Sequence, residues 1–327
     1  MSATSAPSGP AGTLAADFGP ALQAATAAAG RQSYPAGTLY LVATPIGNLA
    51  DISLRALHVL QLVDVIACED TRHTAQMLRA YGIAAPASRL LALHQHNEQQ
   101  AAQQVVERLQ QGQRVAYVSD AGTPAISDPG AGLVRAVQAA GLRVMPLPGA
   151  SSIITALCAA GVEGAQHSNG VAGLQGGWVF AGFLPPKGQE RQQALQALQQ
   201  EARPVVLLEA PHRIGALATA LAVLGERPVT LARELTKQYE SLSTLPAQAL
   251  AAWLEAAPER SKGEFVLVVH AAPVADASGE AVSPEARRIL KLLLAELPTK
   301  SAVRLAADIT GEARNALYTE ALAEKAS

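Results

Sequence analysis

A regular alternation of short apolar runs with helical patterns constrains the fold of this chain more than any other sequence feature. Five apolar runs have the length and composition of buried strands: residues 39–43, 63–68, 90–93, 115–118 and 143–147. Helical patterns follow them over 53–61, 71–81, 97–111, 131–140 and 151–160. Short connections between such elements are typical of a doubly wound, mostly parallel sheet. We therefore predict an N-terminal α/β domain over 38–160.

The second half of the chain alternates in the same way after a Gly-rich stretch at 161–177, which reads as a linker with a loose insertion. We predict strands at 178–182, 205–209, 229–233 and 264–270, with helices at 189–201, 212–224 and 246–256. These elements predict a second, smaller α/β domain over 178–271. A small and polar stretch at 272–282 predicts another linker.

The two ends of the chain differ in character. Residues 1–37 are rich in Ala, Ser, Pro and Gly, which predicts a disordered extension with one weak helical turn over 21–29. Residues 283–327 form three helical patterns, which fit a small nucleic-acid-docking module or a helical cap or dimerisation arm. Seven basic against six acidic residues in this tail slightly favour the cap or arm.

The composition sets further bounds. A formal net charge of −2 gives no support to a strongly basic nucleic-acid binder, and no stretch is long and apolar enough for a membrane span. The only cysteines, Cys68 and Cys158, lie far apart in apolar stretches, which predicts two buried thiols and no disulfide. Without a secretory leader pattern, these features indicate a cytoplasmic protein.

The loop from Ser119 to Gly130 follows one of the predicted strands, where an open α/β sheet binds its ligand. It contains two glycines, two prolines and two carboxylates but no Lys or Arg, and it matches neither GxxxxGK[ST] nor GxGxxG. Such a loop favours a ligand with positive charge or hydroxyl groups over a nucleoside polyphosphate. A plain turn capped by Asp128 at the start of the next helix is the structural alternative.

Nine motifs occur in a fixed order and together carry a resemblance to a known family. They are TPIGNL at 44–49, EDTR at 69–72, HQHNE at 94–98, the 119–130 loop, PGAS at 148–151, GFLPPK at 182–187, PHR at 211–213, ARELTK at 232–237 and GEF at 263–265. In these motifs the chain resembles the ribosomal RNA small subunit methyltransferase I family of the tetrapyrrole-methylase superfamily. The tail resembles that family's C-terminal helical domain through LPTK at 297–300 and TGEARN at 310–315.

The resemblance implies S-adenosylmethionine-dependent 2′-O-methylation of a cytidine ribose in the decoding region of 16S rRNA within the small ribosomal subunit, by a cytoplasmic homodimer with no membrane partner. The cofactor would lie in a cleft between the two α/β domains. The residues carried over as cofactor-binding are Pro45, Asp120, Ala121, Gly122, Thr123, Ile126, Ser127, Ser151, Ser152, Leu184, Gly263, Glu264 and Phe265. A lysine-free loop with Asp120 suits a sulfonium and an ammonium group.

Methyl transfer to a ribose hydroxyl should also benefit from a base or a nearby cation. Candidates are Glu69, Lys187, Glu209, Arg213, Glu234 and Lys237, of which we select Lys187, Glu234 and Lys237 as catalytic. Each could equally be a surface ion-pair partner. A basic set near strand ends could hold RNA phosphates: Lys187, His212, Arg213, Arg233 and Lys237.

Some features depart from the family pattern, and some alternatives stay open. Residues 1–37 and the length of 164–177 lie outside the pattern, while Gln95 stands in place of an expected Glu and Ala210 in place of an expected Ser. His94, His96 and Glu98 suggest metal ligation at first sight, but a polar rim without metal is the expectation. A methylase of a small tetrapyrrole-like metabolite and a noncatalytic ribosome-binding factor are the alternative functions.

Overall fold

A computed structural model describes residues 17–162, 177–272, 282 and 284–326. Two five-stranded sheets, each flanked by helices, are followed by a bundle of three C-terminal helices. The fold class expected from the sequence, two α/β domains and a helical tail, is confirmed. The predictions for residues 1–16 and for most of the two linkers lie outside the described residues. No helix in the described ranges is long and apolar enough to cross a bilayer.

The first sheet is wholly parallel, in the order β3-β2-β4-β1-β5. Its strands are β1 Thr38–Val42, β2 Val65–Cys68, β3 Leu90–Ala92, β4 Val115–Val118 and β5 Arg143–Leu147. Helices cover it: α2 Leu54–Leu62, α3 Thr71–Ala80, α4 Glu98–Gln110, α5 Gly130–Ala139 and α6 Ser152–Ala160. Because helices lie on both faces, the central strands are apolar at every position rather than alternating.

The parallel pairing of β1 with β4 and with β5 places their carboxyl ends side by side. The loops at 44–51, 119–130 and 148–151 therefore meet at one edge of the first sheet. Backbone hydrogen bonds between Thr44 and Gly122, both 3.0 Å long, tie the first two loops together. Gly122 has φ +82°, a left-handed conformation that favours glycine at this crossing.

The second sheet is mixed, in the order β6-β7-β10-β8-β9. Its strands are β6 Val179–Phe183, β7 Val205–Glu209, β8 Pro228–Arg233, β9 Ser241–Pro246 and β10 Phe265–Val269, and its helices are α7 Gly188–Gln200, α8 Ile214–Leu221 and α9 Leu250–Glu255. Strand β9 was not predicted, because its alternation of Ser, Leu and Thr is that of a half-exposed edge strand. The helix predicted at 246–256 is shorter, since residues 247–249 form a 3₁₀ turn.

A shared apolar cluster joins the two α/β domains. Ile46 from the 44–51 loop and Ile153 and Leu157 from α6 belong to the same buried cluster as Leu235 and Val266 of the second domain. The loops at the edge of the first sheet are thus held against the second sheet by buried hydrophobic contact.

The C-terminal helices are α10 Pro284–Glu296, α11 Thr299–Thr310 and α12 Arg314–Ala326. They enclose a core of their own that includes Leu290, Val303 and Leu317. Gly311 ends α11 in the left-handed conformation with φ +75°.

The prediction of a disordered extension over 1–37 is wrong for residues 17–37. Residues 19–29 form helix α1, and Ala25 and Ala29 are buried in the core of the first domain. Phe18 packs edge-on against Tyr81, with 4.8 Å between the ring centroids. The Ala-rich composition suggested disorder because alanine is only weakly apolar. Alanine is also a strong helix former, and here a neighbouring helix buries its small side chains. Cys68 is buried as expected, whereas Cys158 is exposed.

The docking of α1 can be tested by truncating its aromatic anchor. We expect Phe18→Ala to lower the free energy of unfolding by about 1–2 kcal/mol, since it removes the ring contact with Tyr81 and part of a buried surface. Gln23→Ala, at an exposed position of the same helix, should change stability by less than about 0.5 kcal/mol. Urea denaturation measures both, and equal stability of the two variants would contradict a docked helix.

Candidate functional site

Three adjoining cavities follow the edge where the first-sheet loops face the second sheet. Ala121 lines all three of them, while Ser127 and Ser152 are shared by two. The first cavity extends along α3, the second lies between the 119–130 loop and α6, and the third reaches the ends of β7 and β10. Together they form a continuous cleft between the two domains, which we call the interdomain cleft.

Most of the residues predicted to bind the cofactor line this cleft. These are Pro45, Asp120, Ala121, Gly122, Thr123, Ile126, Ser127, Ser151, Ser152, Glu264 and Phe265. Leu184 and Gly263 do not line any of the three cavities. Leu184 is buried in the core of the second domain. Gly263 lies behind Glu234, where a Cβ would approach the Glu234 Cγ to 2.5 Å, so its backbone supports the wall without forming it.

Asp128 fixes the shape of the 119–130 loop. Its Oδ1 accepts hydrogen bonds from the Tyr117 hydroxyl and from the Gly130 N–H, both at 2.7 Å. Its Oδ2 accepts one from the Ala125 N–H at 2.8 Å, and Ala125 has a strained φ of +65°. The N-cap residue of α5 is Pro129 and not Asp128. Asp128 still accepts a hydrogen bond from the N–H of Gly130, the first residue of that helix, and it also holds the loop in shape.

The first-domain wall of the cleft is acidic. The Asp120 N–H donates to Glu69 Oε1 at 3.3 Å, and Asp120 Oδ1 accepts from the Asp70 N–H at 3.2 Å. Burial raises the pKa of Glu69, and the nearby charges of Asp128 and Asp120 raise it further. Among the described residues that line the second cavity, none is basic. A cationic ligand would relieve this accumulation of negative charge.

The second-domain wall carries a fixed cation. Lys237 Nζ lies 3.0 Å from Glu234 Oε1 and 3.2 Å from Glu264 Oε2. Although burial opposes it, hydrogen bonds to these two carboxylates raise the pKa of Lys237. Burial tends to raise the pKa of Glu234, but hydrogen bonds from the Glu264 N–H and from Lys237 outweigh it, so this pKa is lowered. Lys237 is therefore held as an ammonium and Glu234 as a carboxylate, and neither is poised as a proton acceptor at neutral pH.

The turn that carries Lys237 is strained and tightly packed. Glu234 and Thr236 have φ of +51° and +66°, although neither is glycine. A Cβ on Gly47 of the facing loop would come within 2.5 Å of the Lys237 Cγ, so only glycine allows the two domains to approach so closely here. Strain of this kind persists where the surrounding structure over-determines the conformation, and it is common at functional sites.

The residues predicted to bind RNA are more dispersed. Lys187 is the exposed N-cap residue of α7 and lines none of the three cavities, and His212 is exposed beside the cleft. Arg213 Nε lies 3.0 Å from Glu209 Oε1. Arg233 donates to the carbonyl oxygens of Lys262 and Tyr239. Both arginines thus have intramolecular partners, and their role toward RNA stays a prediction.

The two histidines considered for metal ligation, His94 and His96, have rings that lie 5.9 Å apart.

Sequence reasoning missed one side of the cleft. His73, Gln76, Met77 and Ala80 line the first cavity from α3. Their spacing of three, four and seven residues identifies one face of a helix. That signal was available, but nothing in the sequence shows that the face is turned toward the cleft. Phe183 and Leu208 line the third cavity. Phe183 lies in the GFLPPK motif but was not selected as a site residue, and Leu208 lies in an apolar strand whose composition does not separate it from core residues.

Comparisons with known proteins identify the fold and the family of the chain. The profile described as Tetrapyrrole (Corrin/Porphyrin) Methylases matches residues 38–251, and one described as RsmI C-terminal HTH domain matches residues 280–325. Among solved structures, a diphthine synthase aligns with a TM-score of 0.52 at 17% identity over 72% of this chain and 90% of its own. A cobalt precorrin-4 methyltransferase aligns with a TM-score of 0.51 at 16% identity, over 71% and 94%. The chain thus has the fold of the tetrapyrrole methylases and belongs to that class of proteins.

Curated relatives narrow the class further. Proteins named ribosomal RNA small subunit methyltransferase I are 49% identical to this chain in Neisseria meningitidis serogroup B, over 88% of this chain and 94% of that one. The protein of that name in Escherichia coli O157:H7 is 49% identical over 88% and 96%. In Pseudomonas aeruginosa it is 47% identical over 88% and 97%. The chain belongs to the ribosomal RNA small subunit methyltransferase I family, and its cofactor is S-adenosylmethionine.

The negative charge of the first-domain wall predicts that the free energy of unfolding falls as the pH rises, and that one substitution removes this fall. Because folding raises the pKa of Glu69, the folded state binds this proton more tightly than the unfolded state. The free energy of unfolding should therefore fall as the pH rises from near the ordinary value of 4.5 through the raised pKa. Glu69→Gln should remove this fall and stabilise the protein at pH 7 more than at pH 4.

Urea denaturation at a series of pH values measures the difference between wild type and Glu69→Gln. The control is Glu255→Gln, at an exposed position of α9. A stability difference for Glu69→Gln that does not change with pH would contradict the electrostatic description of the wall.

Proposed function

We propose that this protein transfers the methyl group of S-adenosylmethionine to the ribose 2′-oxygen of a cytidine in the decoding region of 16S rRNA. The observation that carries the proposal is the pairing of two unlike walls in the interdomain cleft. One wall is acidic, with no Lys or Arg among its described residues, and the other holds a fixed ammonium. Relatives that match 88% of the chain and bear the name of a small subunit rRNA methyltransferase support the choice of substrate.

The first-domain wall would hold the methyl donor. The sulfonium and ammonium groups of the donor fit the negative charge of Asp120, Glu69 and Asp128. The ribose hydroxyls of the donor fit the Ser and Thr hydroxyls of the same wall. When bound, the donor supplies an electrophilic methyl group. Gly122 has no side chain and Ala121 has a small one, so the backbone of the loop can come close to the donor. Asp128, with three hydrogen bonds, keeps this wall preorganised.

Lys237 would act on the acceptor side. Lys237 lines the first cavity, and its ammonium can stabilise the negative charge that develops on the ribose oxygen as the hydroxyl proton passes to a solvent water molecule. Glu234 and Glu264 position this ammonium, so we assign Glu234 a positioning role. Holding the ribose oxygen in attack geometry would supply much of the acceleration, up to about 7–11 kcal/mol. Lys187, which lies outside the three cavities, is better placed to contact RNA than the reacting atoms.

The rRNA would approach from the open side of the second domain. Lys187 and His212 are exposed there, with Arg213 and Arg233 nearby, and such groups can contact phosphates. The match of residues 280–325 to a helix-turn-helix domain makes RNA docking by the tail preferable to the cap or arm that its charge alone favoured. We further propose a homodimer acting in the cytoplasm, where small ribosomal subunits are found.

Two other functions are less well supported. A methylase of a small tetrapyrrole-like metabolite would share the cleft, but it would not require the C-terminal helical domain. A noncatalytic ribosome-binding factor would not require an intact acidic loop together with the Lys237 turn.

Methyl transfer to purified small ribosomal subunits that lack modifications tests the proposal. With isotopically labelled S-adenosylmethionine, we expect label on the ribose of one cytidine in the decoding region, located by nuclease digestion and mass spectrometry. Label on a base, label elsewhere in the subunit, or no incorporation would each contradict it. Efficient labelling of a free tetrapyrrole would favour the metabolite methylase instead.

Asp120 should contribute to donor affinity through its charge. Asp120→Asn keeps an oxygen that can accept from the Asp70 N–H but removes the negative charge, so we expect S-adenosylmethionine to bind at least about 10-fold more weakly. Asp120→Ala should abolish detectable binding while the protein stays folded. Asp51→Asn removes a charge from the same rim outside the cavities and is the matched control. Unchanged affinity of both Asp120 variants by calorimetry would remove this residue from the donor site.

Lys237 should contribute to the rate rather than to donor binding. Lys237→Gln removes the ammonium, and we expect kcat for rRNA methylation to fall by about 10²- to 10³-fold with the affinity for S-adenosylmethionine changed less than about 3-fold. Lys262→Gln, an exposed position near the same wall, should be close to wild type. If Lys237→Gln weakens donor binding as strongly as it slows turnover, the assignment of Lys237 to the acceptor side is wrong.

A further inference from the structure

A groove outside the interdomain cleft lies between helix α3 and strand β3, and we call it the α3 groove. Its volume is about 490 Å³, and none of the described residues that line it lines a cavity of the cleft. Helix α3 contributes Thr71, Arg72, Ala75 and Arg79, most of which share one face of the helix. The rest of the lining consists of alanine and leucine side chains within 85–92. The groove is therefore separate from the site of the methyl donor.

The charge of the α3 groove is opposite to that of the acidic wall. Arg72 and Arg79 line the groove, and no acidic residue does so in the part of the chain that the structure describes. The two arginines are seven positions apart on α3, which places their Cα atoms about 10 Å apart along the helix axis. Arginine binds phosphate through a planar fork of N–H donors. Two such groups along one groove fit an extended anion that carries several phosphates.

Both guanidinium groups can take a phosphate without leaving another charge unsatisfied. Arg79 is exposed and has no hydrogen bond or ion pair with any described residue. Arg72 is 92% exposed, and its guanidinium lies 3.1 Å from Asp70. Asp70 also accepts hydrogen bonds from the backbone N–H groups of Arg72 and His73, so it keeps partners when the Arg72 side chain turns away. An exposed ion pair of this kind contributes little to stability.

Helix α3 forms the boundary between this groove and the interdomain cleft. His73, Gln76 and Ala80, on a neighbouring face of the helix, line the first cavity of the cleft. At the start of the helix, the Asp70 N–H donates to Asp120 Oδ1 at 3.2 Å. A helix with its side chains is about 10–12 Å across. A strand of RNA with one ribose in the cleft therefore reaches the groove within a short run of nucleotides.

We propose that the α3 groove binds the sugar-phosphate backbone of the rRNA strand next to the target nucleotide, with Arg72 and Arg79 each contacting a phosphate. The proposal rests on the proposed function, since it takes an rRNA ribose as the group that enters the cleft. Phosphate contacts fix the position and direction of a strand without reading its sequence. The EDTR motif at 69–72 thus supplies Glu69 to the acidic wall and Arg72 to RNA positioning.

The salt dependence of binding tests these phosphate contacts. Each contact with a single strand contributes about −0.7 to the slope of log affinity against log salt concentration. For the double variant Arg72→Gln/Arg79→Gln, we expect a slope shallower by about 1.4, that is, two contacts of about 0.7 each. Its affinity for unmodified small ribosomal subunits should fall about 10-fold at physiological salt. Filter binding over a series of salt concentrations measures both quantities.

Two matched double variants separate phosphate binding from other effects. Arg72→Lys/Arg79→Lys keeps both charges and should keep the wild-type slope. Arg135→Gln/Arg143→Gln removes two exposed arginines of the same domain that lie outside the groove, and it should also keep the wild-type slope. A wild-type slope for Arg72→Gln/Arg79→Gln would overturn the proposal. An equally shallow slope for the Arg135/Arg143 variant would overturn it as well, since the effect would then follow net charge alone.

Methylation assays with the same subunits show at which step the arginines act. We expect Arg72→Gln/Arg79→Gln to raise KM for the subunit about 10-fold, with kcat changed less than about 3-fold and the affinity for S-adenosylmethionine unchanged by calorimetry. A fall in kcat or in donor affinity without a change in KM would overturn the proposal and assign the arginines to the cleft.

Protein-free 16S rRNA is the second probe, because phosphates are the proposed ligand. The shallower slope of Arg72→Gln/Arg79→Gln should appear with this RNA too. A change seen only with intact subunits would assign the groove to a ribosomal protein and overturn the proposal. If the wild-type enzyme binds subunits but places no label on a cytidine ribose, the proposed function fails, and the slopes still decide whether the groove binds RNA.

Discussion

The packing of the 44–51 loop and α6 against the second sheet is the interaction on which the rest of the structure depends. Ile46, Ile153 and Leu157 share one buried cluster with Leu235 and Val266, so the edge of the first sheet is fixed relative to the second domain. Hydrophobic burial is not directional, and it sets the distance between the walls without using any of their polar groups. The charged residues of the cleft therefore do not have to hold the two domains together.

The two walls of the cleft differ in charge because different backbone structures carry their charged side chains. On the first-domain side, a parallel sheet ends in loops whose N–H groups and small side chains leave a space bounded by carboxylates, with Asp128 holding the loop in shape. On the second-domain side, a strained turn holds Lys237 between Glu234 and Glu264. A positively charged donor and an acceptor that develops negative charge have opposite electrostatic needs, and a cleft between two domains can meet both at once.

Much of the fold was readable from the sequence, and the reasons for the exceptions are physical. The strands of the first sheet are apolar on both faces, so β2 and β4 could be recognised by composition alone. Strand β9 and helix α1 could not, because an edge strand is only half buried and an alanine-rich helix resembles a disordered segment. The 119–130 loop showed its acidity and glycines directly. The cleft face of α3 depends on how distant elements pack, which no local pattern encodes.

We propose that the methyl donor lies between the acidic loop and the second sheet. A crystal structure of the protein grown with S-adenosylmethionine measures this most directly. We expect electron density for the donor along residues 120–127 and 151–152, with the sulfonium on the side of Asp120 and the methyl group toward Lys237. Density for the donor outside the cleft, or a cleft closed by its own side chains while the donor binds elsewhere, would contradict it.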